Sequence, residues 1–266
     1  MISKEIQQAL RQKYNPEGSL LRNVQKGLLD ILVEFDRICR KNSIPYWLDS
    51  GTLIGAARHG GFIPWDDDLD VCILHSDLKR LEKAMRKELS APFSYEGKMR
   101  SWVKIINRSV TITRVVPKTG APDEKTLRKD NIWLDVFVEI NGSVKASRAI
   151  NGFYGHCFRR RYKVIDDGAL RHIVGSCLFP VARFMAFTVR LSGRLFHPDT
   201  LIHDIGTGFY SQRKTDEIFP LTEIEFEGQM FPAPAKTPEY LERIYGDWNS
   251  IPRNIENHNI ADITTN

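Results

Sequence analysis

Cysteine is scarce in this chain of 266 residues and never paired in sequence. Cys39, Cys72, Cys157 and Cys177 show no Cys-x-x-Cys spacing, which removes the usual thiolate zinc and dithiol redox readings. Two of the four lie within apolar runs, so reduced, structural thiols are expected. An apolar leader is also missing. The start, MISKEIQQALRQ, is polar and has no hydrophobic signal region, and the expectation is a protein that stays in the cytoplasm. Nor is there a clean membrane span. The apolar run from Ile173 to Leu191 is interrupted by Pro180, Arg183 and Arg190, and an arginine inside a bilayer costs about 2.5–3.5 kcal/mol. With 42% hydrophobic and 27% charged residues the composition is that of a folded globular protein.

Charge is unevenly spread. Between Ser143 and His197 ten basic residues face only Asp166 and Asp167, whereas the remainder holds 28 basic against 31 acidic residues. One segment therefore carries the whole positive excess, which suggests a local anionic partner rather than a uniformly basic surface. We expect this segment to be a helical insertion, either packed with a basic outer face or lying on an anionic membrane surface.

The most informative stretch runs from Trp47 to Leu74. Its end, Leu69-Asp70-Val71-Cys72-Ile73-Leu74, reads as a buried strand. Alternation along such a strand would put Asp68 and Asp70 on one face, with Leu69, Val71 and Ile73 on the other. Two carboxylates pointing the same way repel each other and resist burial, and a hard divalent cation, Mg²⁺ or Mn²⁺, relieves both costs. Upstream, Ser50-Gly51-Thr52 precedes the small apolar run Leu53 to Ala57, which reads as a helix capped by Ser50 or Thr52. A helix start of this kind offers N–H groups to a phosphate. Phosphate on one side and metal on the other describes phosphoryl transfer. A third acid is Asp135, alone in the centre of the apolar strand Ile132 to Val138. A buried aspartate is rare without a partner, and the plain alternative is one bonded to backbone N–H groups.

The string from Leu48 to His59, continued by Gly61-Phe62-Ile63-Pro64-Trp65-Asp66-Asp67-Asp68-Leu69-Asp70, closely resembles the signature of the LicD family. Tyr245-Gly246-Asp247-Trp248, with Pro252, Arg253 and His258 beyond it, resembles that family's C-terminal pattern, while the basic middle is unmatched. In one place the chain departs from it: Phe137-Val138-Glu139-Ile140 stands where many relatives have Phe-Pro-Leu-Asp. The resemblance implies an α/β (α+β) fold, a nucleotidyltransferase-like mixed sheet flanked by helices. It also implies a cytidine diphosphate alcohol donor, most simply CDP-choline, and a glycan hydroxyl as acceptor, lipid-linked or free, with no nucleic-acid polymer as partner. Asp68, Asp70 and Asp135 would then be the catalytic and metal-binding acids, Ser50, Gly51 and Thr52 the phosphate cradle, and Arg58 a candidate for the developing charge. Lys104, with Arg108 and Arg114, is a candidate for a donor phosphate.

The remaining elements follow from periodicity and breakers. Ser19 to Lys41 is an amphipathic helix; a second, capped by Ser76 or Asp77, runs to about Leu89. Phe93 to Glu96, Trp102 to Ile106 and Val110 to Val116 read as strands, with Asn107-Arg108-Ser109 as a turn and Pro117 to Asp130 as a surface loop. A hairpin turning at Gly228-Gln229 and a helix capped by Thr237, with Pro238 in first position, lie near the end. These readings divide the chain into a catalytic core at 1–142, a basic helical lobe at 143–200 and a completing part at 201–266.

Three rival readings exist. A calcium loop would use Asp66, Asp68 and Asp70 but needs glycine where Val71 stands. A metal-dependent glycosyltransferase needs a larger nucleotide-binding unit ahead of its acidic motif. A catalytically inactive nucleotide-binding scaffold would have no use for all three acids. Within the transferase reading, ribitol or glycerol could replace choline, although Trp47, Phe62, Trp65, Trp102 and Trp133 offer aromatic faces to a quaternary ammonium.

Overall fold

A computed structural model of the chain describes residues 2–99, 101–118, 121–162, 168–252, 255 and 260–265. Arg253 and His258, named above for their resemblance, lie outside them. Two helices open the chain, α1 (Lys4–Tyr14) and α2 (Leu20–Lys41). Ser3 and Ser19 cap them, each hydroxyl accepting the N–H three residues on, at Ile6 and Arg22. The stripe Val24, Leu28, Ile31, Leu32, Phe35 and Ile38 of α2 is fully buried against the sheet, and each such side chain contributes about 1.5–3 kcal/mol on leaving water.

Next come β1 (Tyr46–Leu48), α3 (Ser50–His59), β2 (Asp70–Leu74), α4 (Leu78–Glu88), β3 (Phe93–Met99), β4 (Trp102–Lys118) and β5 (Ala121–Asn141). Helices α5 (Val144–Arg161) and α6 (Ala169–Phe196) form a pair. The chain then continues through β6 (Thr200–His203), β7 (Gln212–Lys214), α7 (Thr215–Ile218), β8 (Thr222–Phe226), β9 (Gln229–Ala233), α8 (Thr237–Tyr245) and β10 (Ile260–Thr265). The fold is thus mixed α/β. Its central sheet runs β1-β2-β5-β4-β10, with β3 also paired to β4 and β6-β7 continuing from β5, while β8 and β9 make a separate hairpin. Strands β2 and β5 are parallel, and the other pairings are antiparallel.

Several local expectations are corrected. Asn107 to Ser109 is a bulge inside β4 rather than a turn, with the Asn107 side chain accepting from the Ser109 N–H at 3.0 Å. Of Pro117 to Asp130, residues 119 and 120 lie outside the described residues and the rest is strand rather than loop, β4 and β5 pairing antiparallel with Val116 opposite Thr126 and Pro117 opposite Lys125. Strand β2 begins at Asp70, so Asp68 lies in the preceding loop. Helix α3 starts at Ser50 and takes Asp49 as its cap residue, without a capping bond from that side chain. The late hairpin turns at Glu227 and Gly228, whose φ values of 51° and 79° are those of a type I′ turn. Lys236, not Thr237, is the cap residue of α8, and Asp77 that of α4 without a side-chain bond.

Helix α6 has two unlike faces. Gly175, Phe179, Ala182, Ala186 and Gly193 are buried, several of them with Ile150, Tyr154, Cys157 and Phe158 of α5 in a cluster separate from the main core. The small residues set the approach: a Cβ on Gly193 would come within 1.8 Å of the Asn141 carbonyl oxygen, so only glycine lets α6 lie this close to the end of β5. The opposite face is apolar and exposed.

Candidate active site

Parallel pairing sets Asp70 directly opposite Asp135, and antiparallel pairing sets Lys104 on the other side of Asp135. The two aspartates therefore lie on neighbouring strands about 4.8 Å apart. With Asp68 from the loop ahead of β2, they line a cavity of about 450 Å³ together with Ser50, Trp102, Phe137, Phe209, Ser211 and Tyr245. Burial raises the Asp70 carboxyl well above the carboxylate range, and the charges of Asp135 and Asp68 push it further. Burial also raises Asp135, against the pull of Lys104 and of hydrogen bonds from Trp133 and Trp102. The Trp102 indole donates to Asp135 at 2.7 Å, and the Lys104 ammonium stands 3.7 Å from the same carboxylate. Lys104 is itself held below its ordinary value by burial, which outweighs the attraction of Asp135, and it sits 3.6 Å over the Trp133 ring. The donors facing the cavity are thus hard oxygens, and at Asp70 and Asp135 the nearby cation does not offset the cost of burial, a set that fits Mg²⁺ or Mn²⁺. A second acidic group adjoins it, with one carboxylate oxygen each of Asp66, Asp67 and Asp68 within 4.8 Å of the others; Asp67 is engaged by Arg114.

The start of α3 borders the same cavity. Its first N–H groups fall outside the intrahelical ladder, and the helix dipole adds partial positive charge there. Ser50 lines the cavity. Gly51 is required by contact, since a Cβ would meet the Asp66 carboxylate at 2.6 Å. Thr52 is buried, and its hydroxyl accepts from the Asp70 N–H at 2.8 Å, which ties the helix start to the first residue of β2.

Other residues named from sequence lie elsewhere. Arg58 is buried and donates to the carbonyls of Trp248 and Ser250, both at 2.8 Å, so its guanidinium fastens the segment after α8 instead of lining the cavity. Its neighbour His59 is held down to about 3 by burial and by the charges of Arg58 and Arg11. Arg108 is exposed and bonded to Ser94. Of the five aromatic residues named from sequence, Trp102 is the one among the described lining residues of the cavity; Trp47 and Phe62 are in the core, and Trp65 sits edge-on to Tyr14.

A group that sequence reasoning missed lies just along the same sheet face. Arg213, fully buried, reaches Asp49 at 3.0 Å and Glu139 at 3.4 Å. The Tyr240 hydroxyl donates to Asp49 at 2.5 Å, the Cys72 thiol points at it from 3.2 Å, and His203 lies 2.9 Å from Glu139. Burial opposes the charge on Asp49, but Arg213 and His203, with the bonds from Tyr240 and Cys72, hold its carboxyl well below the ordinary range. Arg213 and His203 also reach the cavity wall. No spacing could have grouped residues 49, 72, 139, 203, 213 and 240; Asp49, Cys72 and Glu139 stood in or beside the motif strings, and nothing in them pointed to residues 203, 213 and 240.

Residues 43–163 match the LicD/FKTN/FKRP nucleotidyltransferase domain. Over 247 residues, 87% of this chain and 92% of the relative, the chain is 26% identical to the lipopolysaccharide cholinephosphotransferase LicD of Haemophilus influenzae. It is also 42% identical over 72 residues, about a quarter of each chain, to an uncharacterized protein of Rickettsia prowazekii. A shorter stretch of 54 residues, 20% of this chain and 11% of the relative, is 41% identical to the human ribitol 5-phosphate transferase FKRP. The chain thus carries a nucleotidyltransferase domain similar to that of LicD, FKTN and FKRP over β1 to α5, and its similarity to LicD runs through most of its length.

Proposed function

We propose that this protein transfers phosphocholine from CDP-choline to a hydroxyl of a glycan, with Asp68, Asp70 and Asp135 at the reacting centre. The relatives named for phospho-alcohol transfer support a phospho-alcohol transferase in general. The observation that carries the reading is the meeting of three carboxylates and a helix start around one cavity, where a diphosphate and a divalent cation complement each other. Choline is favoured over ribitol or glycerol because Trp102, Phe137, Phe209 and Tyr245 line that cavity, and aromatic faces attract a quaternary ammonium.

In the proposed reaction the acceptor oxygen bonds to the phosphorus that carries choline, the bond from that phosphorus to the CMP oxygen breaks, and CMP leaves. Asp68, Asp70 and Asp135 would hold Mg²⁺ or Mn²⁺, which when bound supplies charge neutralisation to the diphosphate. The N–H groups at Ser50 and Gly51 receive phosphate oxygens. Asp135, held in place by Trp102 and Lys104, orients the attacking hydroxyl and accepts its proton. Lys104 adds positive charge beside the transferred group. Arg58 acts through position, by fixing the chain that follows α8.

A donor panel tests this directly. CDP-choline, CDP-ribitol and CDP-glycerol are each incubated with Mg²⁺ and a glycan acceptor, and CMP release is followed. Selective release from CDP-choline is the expected result; preference for either polyol donor would refute the choline assignment, and no metal-dependent binding of any donor would favour the inactive scaffold.

A further inference from the structure

Helix α6 exposes more apolar surface than the fold explains. Ile173, Val181, Phe184, Phe187, Leu191 and Leu195 recur at spacings of three and four or their multiples, which puts them on one side of the helix, and Phe184 and Leu195 are 65% and 66% exposed. The other side is occupied by α5 and the end of β5. By length and composition the 28-residue helix is apolar enough to cross a membrane, but its inner side is seated against α5 and the end of β5, which favours a helix lying on a surface over an isolated span. Arg183 and Arg190 on the same helix oppose spanning as well.

The apolar stripe has a basic margin. Arg183 and Arg190 of α6, with Arg161 of α5 and Lys79 of α4, line a groove of about 990 Å³ together with Phe184 and Phe187, and among the described residues no aspartate or glutamate lines it. Arg190 is committed to Asp204 at 2.9 Å, and Lys79, Arg161 and Arg183 are exposed. An apolar strip beside a cationic groove is the pattern of a helix lying in the headgroup region, its apolar side in the acyl boundary and its cations among lipid phosphates.

We infer that the outer face of α6 and the Lys79-Arg161-Arg183 groove form a docking surface for an anionic lipid bilayer, with α6 parallel to the membrane plane. A second copy of the chain fits less well, because a two-fold contact through this face would bring like-charged margins together. The inference rests on this surface alone and stands or falls separately from the transfer reaction.

The test is sedimentation of the purified full-length chain with phosphatidylcholine vesicles, with and without phosphatidylglycerol, at low and high salt. Arg161→Ser/Arg183→Ser and Phe184→Ser/Phe187→Ser are compared with the parent, with circular dichroism as the check of folding. The parent should bind the anionic vesicles and lose binding with salt, and each double variant should bind roughly tenfold more weakly. Hydrogen exchange of the parent should slow in α6 when vesicles are added, a result that needs no variant. The inference is overturned if the parent stays in solution, if neither double variant binds less, or if the chain requires detergent for extraction, which would indicate a span. A dimer in light scattering that Phe184→Ser/Phe187→Ser abolishes would assign the face to a second copy instead.

Discussion

Two groups of charge, one buried and one opening on the cavity, share one face of the sheet, and they are built on opposite principles. Along β5, Asp135 and Glu139 lie four residues apart and point the same way; along β2, Asp70 and Cys72 do likewise. Around Glu139 the charges are balanced, with Arg213 set between Asp49 and Glu139 and Tyr240 completing the shell of Asp49. Around Asp70 and Asp135 they are not balanced. Three carboxylates share a cavity, and Lys104 at 3.7 Å is the cation paired with Asp135. The balanced group holds β1, β2, β5, β7 and α8 together through the Arg213 guanidinium. The unbalanced group carries a cost that a divalent cation would remove, which is why we propose the site there.

The largest effect expected from breaking this contrast is on the balanced side. Arg213→Met would leave Asp49 and Glu139 buried without their cation and should destabilise the fold by about 3–5 kcal/mol, measured by urea unfolding, with no rescue by Mg²⁺. On the unbalanced side, Asp68→Asn should lower phosphocholine transfer by about a thousandfold or more at saturating Mg²⁺ while the unfolding midpoint is kept, as followed by CMP release. Near-normal transfer by that variant would remove the acidic motif from the mechanism.

A smaller effect concerns pH. Because the Asp70 and Asp135 carboxyls are raised in the folded chain, the fold keeps protons that the unfolded chain has released. Without metal, stability should therefore fall as pH rises from the ordinary carboxylate range through the raised values. Bound Mg²⁺ should oppose that loss, so its stabilisation should grow with pH in thermal scans. Smallest is the effect of Lys104→Met, which removes the charge that lowers Asp135. It should move the acidic limb of the pH–rate profile upward by about one unit or less.

The unbalanced group was the legible one. Asp70 and Asp135 stand out because each interrupts a run of buried apolar residues, and a polar group in an apolar strand is visible without any knowledge of tertiary contacts. Helix α2 was legible for the converse reason, a regular apolar stripe with a serine ahead of it. The balanced group was hidden because its members come from six separated places and each, read alone, is an unremarkable residue. The β4–β5 pairing was misread because two prolines, a glycine and several charges suggest a loop, whereas residues 125–129 are exposed and pair with β4 through the main chain. Asp68 was assigned to the strand by alternation, but β2 starts only at Asp70, where Thr52 receives its N–H.

The central claim is that the like-charged group is a cation site, and thermal unfolding of the parent and of Asp70→Asn, each with and without Mg²⁺ at neutral pH, tests it most directly. The account predicts that without metal the variant is as stable as the parent or more so, having lost a repelled charge, and that Mg²⁺ raises the parent midpoint while barely moving that of the variant. A variant that is less stable than the parent without metal, together with a parent indifferent to Mg²⁺, would contradict it.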